Sequence, residues 1–167
     1  MTLACNWLPA RTSSLEGRLD SWHRCRIASM SLEQGLSELW DEFTPGGARY
    51  KIFVLGKPKA LKPAIKEQIY LIGREAVLNA LRHSGAAAIE TEVEYSARRL
   101  RVVVRDNGCG MDPQVLRSSQ HPHWGLLGMR ERAARVGAQL RVWSRPRGGT
   151  EVEISCSDPC HQRCRCP

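Results

Sequence analysis

In SLEQGLSELWDEF (31–43) the apolar residues Leu32, Leu36, Leu39 and Phe43 recur at i, i+4, i+7 and i+11. That spacing predicts an amphipathic helix. Ser31 is placed to cap its start, and the TPGG that follows is placed to stop it. The tight alternation in YKIFVLG predicts a strand at 49–55. KPKALKP then connects to a helix that Pro63 suits in its first turn. Ile65, Ile69, Ile72, Ala76 and Ala80 form the buried stripe of that helix, which runs to about His83 before Ser84-Gly85 ends it. Residues 87–95 and 99–105 read as two strands joined by SARR in a hairpin. Asp112-Pro113 marks the start of a short helix, and SSQHPHWG a polar, proline-broken loop. LLGMRERAARVG reads as an amphipathic helix ending at Gly137. AQLRVWSR and GGTEVEISC read as closing strands across a PRGG turn. There is no internal repeat, and residues 1–30 show no clear period. This order of helices and hairpins predicts the α+β class, with helices layered on a mixed, mostly antiparallel sheet.

Composition narrows the picture. A chain of 167 residues supports one sizeable core. Its apolar share of 42% with 25% charged residues is that of a soluble globular protein. No apolar run approaches the ~20 residues of a membrane span. The start, MTLACNWLPARTSS, shows no basic leader before a long apolar stretch, so a cytoplasmic location is expected. The net charge of +8 suits an acidic partner or a polyphosphate ligand. The bases are scattered, with Arg98, Arg99 and Arg101 on one strand and Arg130, Arg132 and Arg135 on one helix. No aromatics interleave with them, so they read as solvated faces and no nucleic-acid partner is expected. The odd total of seven cysteines argues against a disulfide framework. The tail CSDPCHQRCRCP lacks the paired C-x-x-C of a zinc ribbon and reads as a disordered end.

Three stretches carry candidate chemistry. In REAVLNALRH (74–83), Glu75 and Asn79 lie four apart on one helix face with Arg82. Asn is a poor mid-helix residue on propensity alone, and a half-buried amide needs a partner. The partner is either a protein group in the core or a hard cation such as Mg²⁺, which takes oxygen ligands. In RDNGCGMD (105–112), Asp106 ends a strand, where it can accept a hydrogen bond from an exocyclic amine such as that of adenine. Gly108 and Gly110 let a flat ring come close to the backbone. An Asn-Gly hairpin turn is the competing reading, weakened because MDPQVL reads as a helix start. In HWGLLGMRERAARVG (123–137), Gly125 and Gly128 lead into a helix whose free N–H groups attract phosphate. The polar loop before it reads as a lid.

Taken in order, these stretches resemble the ATP-binding catalytic domain of two-component sensor histidine kinases, within the gyrase/histidine-kinase/MutL-type ATPase superfamily. REAVLNALRHSGA resembles the N box, RDNGCGMD the first glycine box, HWGLLGMRERAARVG the second, and GGTEVEIS the closing Gly-Thr strand pair. Their order and spacing are similar to those of the nitrate-sensor-like subfamily. The resemblance covers about 46–156. It implies a two-layer α/β sandwich of the Bergerat type; an atypical extension at 1–45 and a Cys-rich tail at 157–167 lie outside it, and the tail departs from the family. The resemblance implies Mg-ATP as ligand, with Asn79 on Mg²⁺ and Glu75 near the transferred phosphate as a base. Asp106 would read the adenine amine, in a pocket shaped by Gly108 and Gly110. Gly125, Leu126, Gly128 and Met129 would lie along the phosphates, and Thr150 would support the adenine end. His83 holds a position that is often basic in the N box.

The resemblance also implies an acceptor histidine, on a dimerisation segment or another protein of a response-regulator pathway. His23, in SWHRCRI, lacks the acidic neighbour expected after such a histidine and reads as a surface residue. The expected activity is therefore phosphoryl transfer to a histidine supplied in trans, by a monomer. Two other readings stay open: a nucleotide-binding module without transfer, and an anti-sigma-type serine kinase of the same superfamily.

Overall fold

The computed structural model describes residues 29–43, 48–111, 124–157 and 159, with the side chains of 41–43 and 124 excepted. Residues 1–28 with His23, the TPGG stop, the helix expected at Asp112, the polar loop up to 123, most of the Cys-rich tail and the side chain of Phe43 lie outside the described residues.

Helix α1 (Leu32–Phe43) starts where expected, by a reciprocal cap. The Ser31 hydroxyl accepts from the Gln34 N–H at 3.2 Å, and the Gln34 side-chain oxygen accepts from the Ser31 N–H at 3.0 Å. This capping box satisfies two N–H groups at the helix entrance. Leu32, Leu36 and Leu39 are buried as the period demands. Strand β1 (Arg49–Leu55) follows, then helix α2 (Pro63–Asn79) with Pro63 in its first turn. Ile65, Ile69, Ile72, Ala76 and Ala80 are all buried. The two helices come close where glycines leave room: Leu36 lies against Gly73, and the Tyr70 ring lies against Gly35.

Where an α-helix to His83 was expected, the chain widens into a π-helical turn at Ala80–Ser84. The Ser84 hydroxyl donates to the Ala80 carbonyl at 2.7 Å, and Gly85 closes the turn in the left-handed region at φ 60°. Such wide turns are rare and frequently sit at functional sites.

Strands β2 (Ala88–Tyr95) and β3 (Arg99–Asp106) form the expected hairpin. Helix α3 (Trp124–Arg135), β4 (Gln139–Ser144) and β5 (Thr150–Ser157) complete the described chain. The sheet order is β1-β2-β3-β5-β4. Among the described strands only the β1–β2 pair is parallel, as its helical crossover requires. The helices cover one face, where Ile89, Val93, Leu100, Val102, Val104 and Ile154 pack.

On the other face the strands carry a lattice of ion pairs. Arg101 meets Glu92 at 2.8 Å and Glu153 at 2.7 Å, and Arg105 meets Glu92 and Glu151. Arg101, read from sequence as a solvated base, is thus paired across three strands. The lattice roofs Val103, which is fully buried. Half-exposed pairs of this kind contribute modestly one by one.

Tyr50 joins α1 to the sheet. Its hydroxyl lies 3.1 Å from the Leu36 carbonyl and 3.0 Å from the hydroxyl of Thr91, a fully buried residue. Removing that hydroxyl strands a buried group. Tyr50→Phe is expected to lower unfolding stability by about 1–2 kcal/mol, as read from the midpoint of urea denaturation at an unchanged slope.

Candidate functional site

Three segments converge beyond the end of β3. The π turn closes α2, the loop at 107–111 leaves β3, and a tight turn at 145–149 joins β4 to β5. Backbone bonds lock them together. The Cys109 N–H donates to the Ser84 carbonyl at 2.8 Å, Gly149 N–H to Gly108 carbonyl at 3.0 Å, and Arg147 N–H to Cys109 carbonyl at 2.6 Å. Asn107 bridges to the start of β2 by accepting from the Ala88 N–H at 2.9 Å. The Asn-Gly pair therefore does not build a hairpin; it turns the chain across the sheet end. Three glycines here are obligatory on contact grounds, among them Gly149, where a Cβ would stand 1.9 Å from the Asp106 carbonyl oxygen. A Cβ on Gly110 (φ 65°) would stand 1.9 Å from the Arg145 carbonyl oxygen. One on Gly108 would stand 2.3 Å from that of Ser84.

Between this seam, α2 and α3 opens a cleft of about 470 Å³, its mouth included. Of the residues singled out by sequence, Asn79, Asp106, Gly110, Leu126, Met129 and Thr150 line it. Gly108 sits behind the wall against Ser84. Gly125, the second residue of α3, lies over the N box: a Cβ there would lie 2.5 Å from Glu75 Oε1 and 3.2 Å from Asn79 Nδ2. Glu75 thus stands beside the cleft rather than in its lining. Gly128 faces the Arg132 guanidinium. His83 lies in the π turn, where its carbonyl accepts from the Cys109 thiol at 3.5 Å. Burial, and then the nearby Arg82 charge, hold the His83 imidazole below its ordinary value.

Sequence reasoning did not place Ala76, Ala80, Ser84, Val104, Cys109, Met111 and Val152 in the lining. Ala76 and Ala80 were visible only as core positions of a helix, and Ser84 only as its stop. Val104 and Val152 are cross-strand partners, and no local pattern reveals that register.

Asp106 sits on the helix-covered face, paired with Ile89 on one side and Thr150 on the other. Burial raises its pKa; the Gly108 N–H, which donates to Oδ1 at 2.9 Å, and bonds from Thr150 oppose that rise. Next to it the Ser144 and Thr150 hydroxyls meet at 3.0 Å, and Ser144 accepts from the Met111 N–H at 2.7 Å. The arrangement presents a half-buried acceptor at the end of an apolar slot lined by Val104, Met111, Leu126 and Val152. A flat heterocycle with one exocyclic amine has the matching chemistry. In the same lining the Asn79 amide has no hydrogen-bond partner among the described residues.

The chain belongs to the histidine kinase-, DNA gyrase B- and HSP90-like ATPase family, which matches residues 64–159. The nitrate/nitrite sensor protein NarX of Escherichia coli is 39% identical over 84 residues, 50% of this chain and 14% of that protein. The sensor histidine kinase LiaS of Bacillus subtilis is 31% identical over 131 residues, 77% of this chain and 34% of that protein. The chain thus spans about a third or less of the length of these curated relatives. The histidine kinase domain of the Erythrobacter litoralis EL346 blue-light activated kinase superposes with a TM-score of 0.62 at 21% identity, covering 77% of this chain and 62% of that one. Full-length ShkA in complex with AMPPNP superposes with a TM-score of 0.64 at 17% identity, over 86% of this chain and 35% of that one. The expected α+β sandwich is the fold these neighbours share.

Asp106 also makes a stability prediction. Its pKa in the folded protein lies above its unfolded value, so its favourable contribution is present below the unfolded value. That contribution is lost as pH rises through the folded value. The ionised carboxylate therefore weighs against folding at neutral pH. Asp106→Asn is expected to keep or raise the thermal midpoint at pH 7. A fall of about 4 °C, equivalent to roughly 1 kcal/mol, would show instead that the carboxylate is a structural group.

Proposed function

We propose that this domain binds Mg-ATP in the cleft and donates the terminal phosphoryl group to a histidine supplied in trans. The observation that carries the reading is that Asp106 and Asn79 line one cleft. The first is a half-buried acceptor, the second an amide with no protein partner among the described residues. In this reading the Asp106 carboxylate accepts a hydrogen bond from the adenine amine. Gly108 and Gly110 make room for the ring edge, and Thr150 supports it through its hydroxyl. Gly125, Leu126, Gly128 and Met129 run along the phosphates, where the first turn of α3 offers free N–H groups. His83 adds a basic position near the end of the N box.

The residues fit a magnesium ion that arrives with the nucleotide: the Asn79 side-chain oxygen is a hard donor, and Mg²⁺ commonly takes few protein ligands and several from phosphate and water. When bound, that ion would neutralise charge between the outer phosphates. Glu75, next to Asn79 on the same helix face, is placed to hold the acceptor imidazole and take its proton. Its closeness to Gly125 ties that role to the start of α3. Phosphoryl transfer asks the protein mainly for positioning and charge neutralisation, which these groups supply.

The partners proposed are a histidine-bearing dimerisation domain or another protein of a response-regulator pathway. The domain itself is proposed as a cytoplasmic monomer spanning 46–156. Residues 1–45 then act as an extension and 157–167 as a tail. The names of NarX and LiaS, both sensor proteins, support the assignment to two-component signalling.

Titration of a fluorescent ATP analogue tests the site. Saturable binding that strengthens with Mg²⁺ and weakens at least about tenfold in Asp106→Ala is expected. Affinity should fall as pH drops through the raised Asp106 pKa, because protonation removes the charged acceptor. Absence of binding to the wild type would overturn the reading. With a histidine-bearing dimerisation domain added, labelled ATP should yield an acid-labile phosphoprotein. An acid-stable product would point to a serine acceptor, and no product at saturating nucleotide to a binding module.

A further inference from the structure

Resting on the nucleotide reading above, we propose that Arg132 is a phosphate-contacting residue whose guanidinium takes the outer phosphates of ATP. Gly125, Gly128 and Arg132 are spaced three and four apart, so they form one stripe along α3. Gly125 leads that stripe and abuts Glu75 and Asn79. Arg132 leans back along it, as helical side chains do. Its Nη1 atom lies 2.8 Å from where a Cβ on Gly128 would stand, so the guanidinium fills the slot that this glycine leaves open.

That position is costly without an anion. The guanidinium is half-buried, and among the described residues it makes no ion pair and no hydrogen bond. It points toward the helix end that already carries partial positive charge. Glu75 on the facing helix does not pair with it, and Glu131 on α3 is a sequence neighbour that projects elsewhere. On α2, beside the head of this stripe, Asn79 too has no hydrogen-bond partner among the described residues. A group with several anionic oxygens between Arg132 and Asn79 would satisfy both, and Arg is the side chain best suited to grip phosphate with two parallel N–H donors.

The test is to measure Mg-ATP and adenosine affinities for the wild type, Arg132→Gln and Arg132→Lys, with thermal midpoints as a check on folding. Arg132→Gln should weaken Mg-ATP roughly ten- to a hundredfold while adenosine binding stays within about twofold. Arg132→Lys, which keeps the charge but loses the fork, should recover part of the loss. Equal affinity for Mg-ATP in wild type and Arg132→Gln would overturn the Arg132 proposal alone. So would an equal loss for adenosine and Mg-ATP, which marks a packing role. Failure of the wild type to bind either ligand would overturn the nucleotide reading and this proposal with it.

Discussion

The cleft depends on the seam in which the 107–111 loop is clamped between the π turn and the β4–β5 turn. The contact of Gly108 with Ser84 and the bond from Cys109 N–H to the Ser84 carbonyl are its centre. Through them the end of α2, which carries Asn79, is fixed against the end of β3, which carries Asp106. Neither group is placed by its own element alone. A side chain at position 108 would push the two apart. The wide turn at Ala80–Ser84 is what presents the Ser84 carbonyl at the height of the loop.

Stability and site chemistry pull in opposite directions here. The sheet is held by burial on one face and by an Arg–Glu lattice on the other, and the buried face runs into the cleft through Val104 and Val152. At the cleft the chain holds a carboxylate whose ionisation burial disfavours and an amide with no protein partner, and along α3 an arginine with no counter-ion, among the described residues. Groups kept at such cost belong where a ligand completes them. The anchoring of α1 through Tyr50 and of α2 through Gly73 supplies a rigid frame on which those groups can be held.

Much of the frame was readable from residue patterns, because period and capping are local. The stripe of α1, its Ser31 cap, the proline-opened α2 and the β2–β3 hairpin all fall where the pattern puts them. The π turn was not foreseen, because the bonds that tie it to Cys109 are long-range and no helical period records them. The pairing of Arg101 with Glu153 likewise needs β3 beside β5, a register that only the assembled sheet fixes. In the site, polar residues at unusual places (Asn79 in a helix, Asp106 at a strand end) announced themselves. The apolar lining did not, since Val104 and Val152 look like any core valines.

The most direct test of the account is competition between ATP and inosine triphosphate for the wild type and Asp106→Asn. Inosine carries a carbonyl where adenine carries its amine, so it would set an acceptor against the Asp106 carboxylate. The account predicts a preference for ATP of at least about a hundredfold in the wild type. Asp106→Asn, whose amide can donate, should narrow or reverse it. Equal affinity of the wild type for both nucleotides, or a preference unchanged in Asp106→Asn, would contradict the claim that Asp106 reads the base.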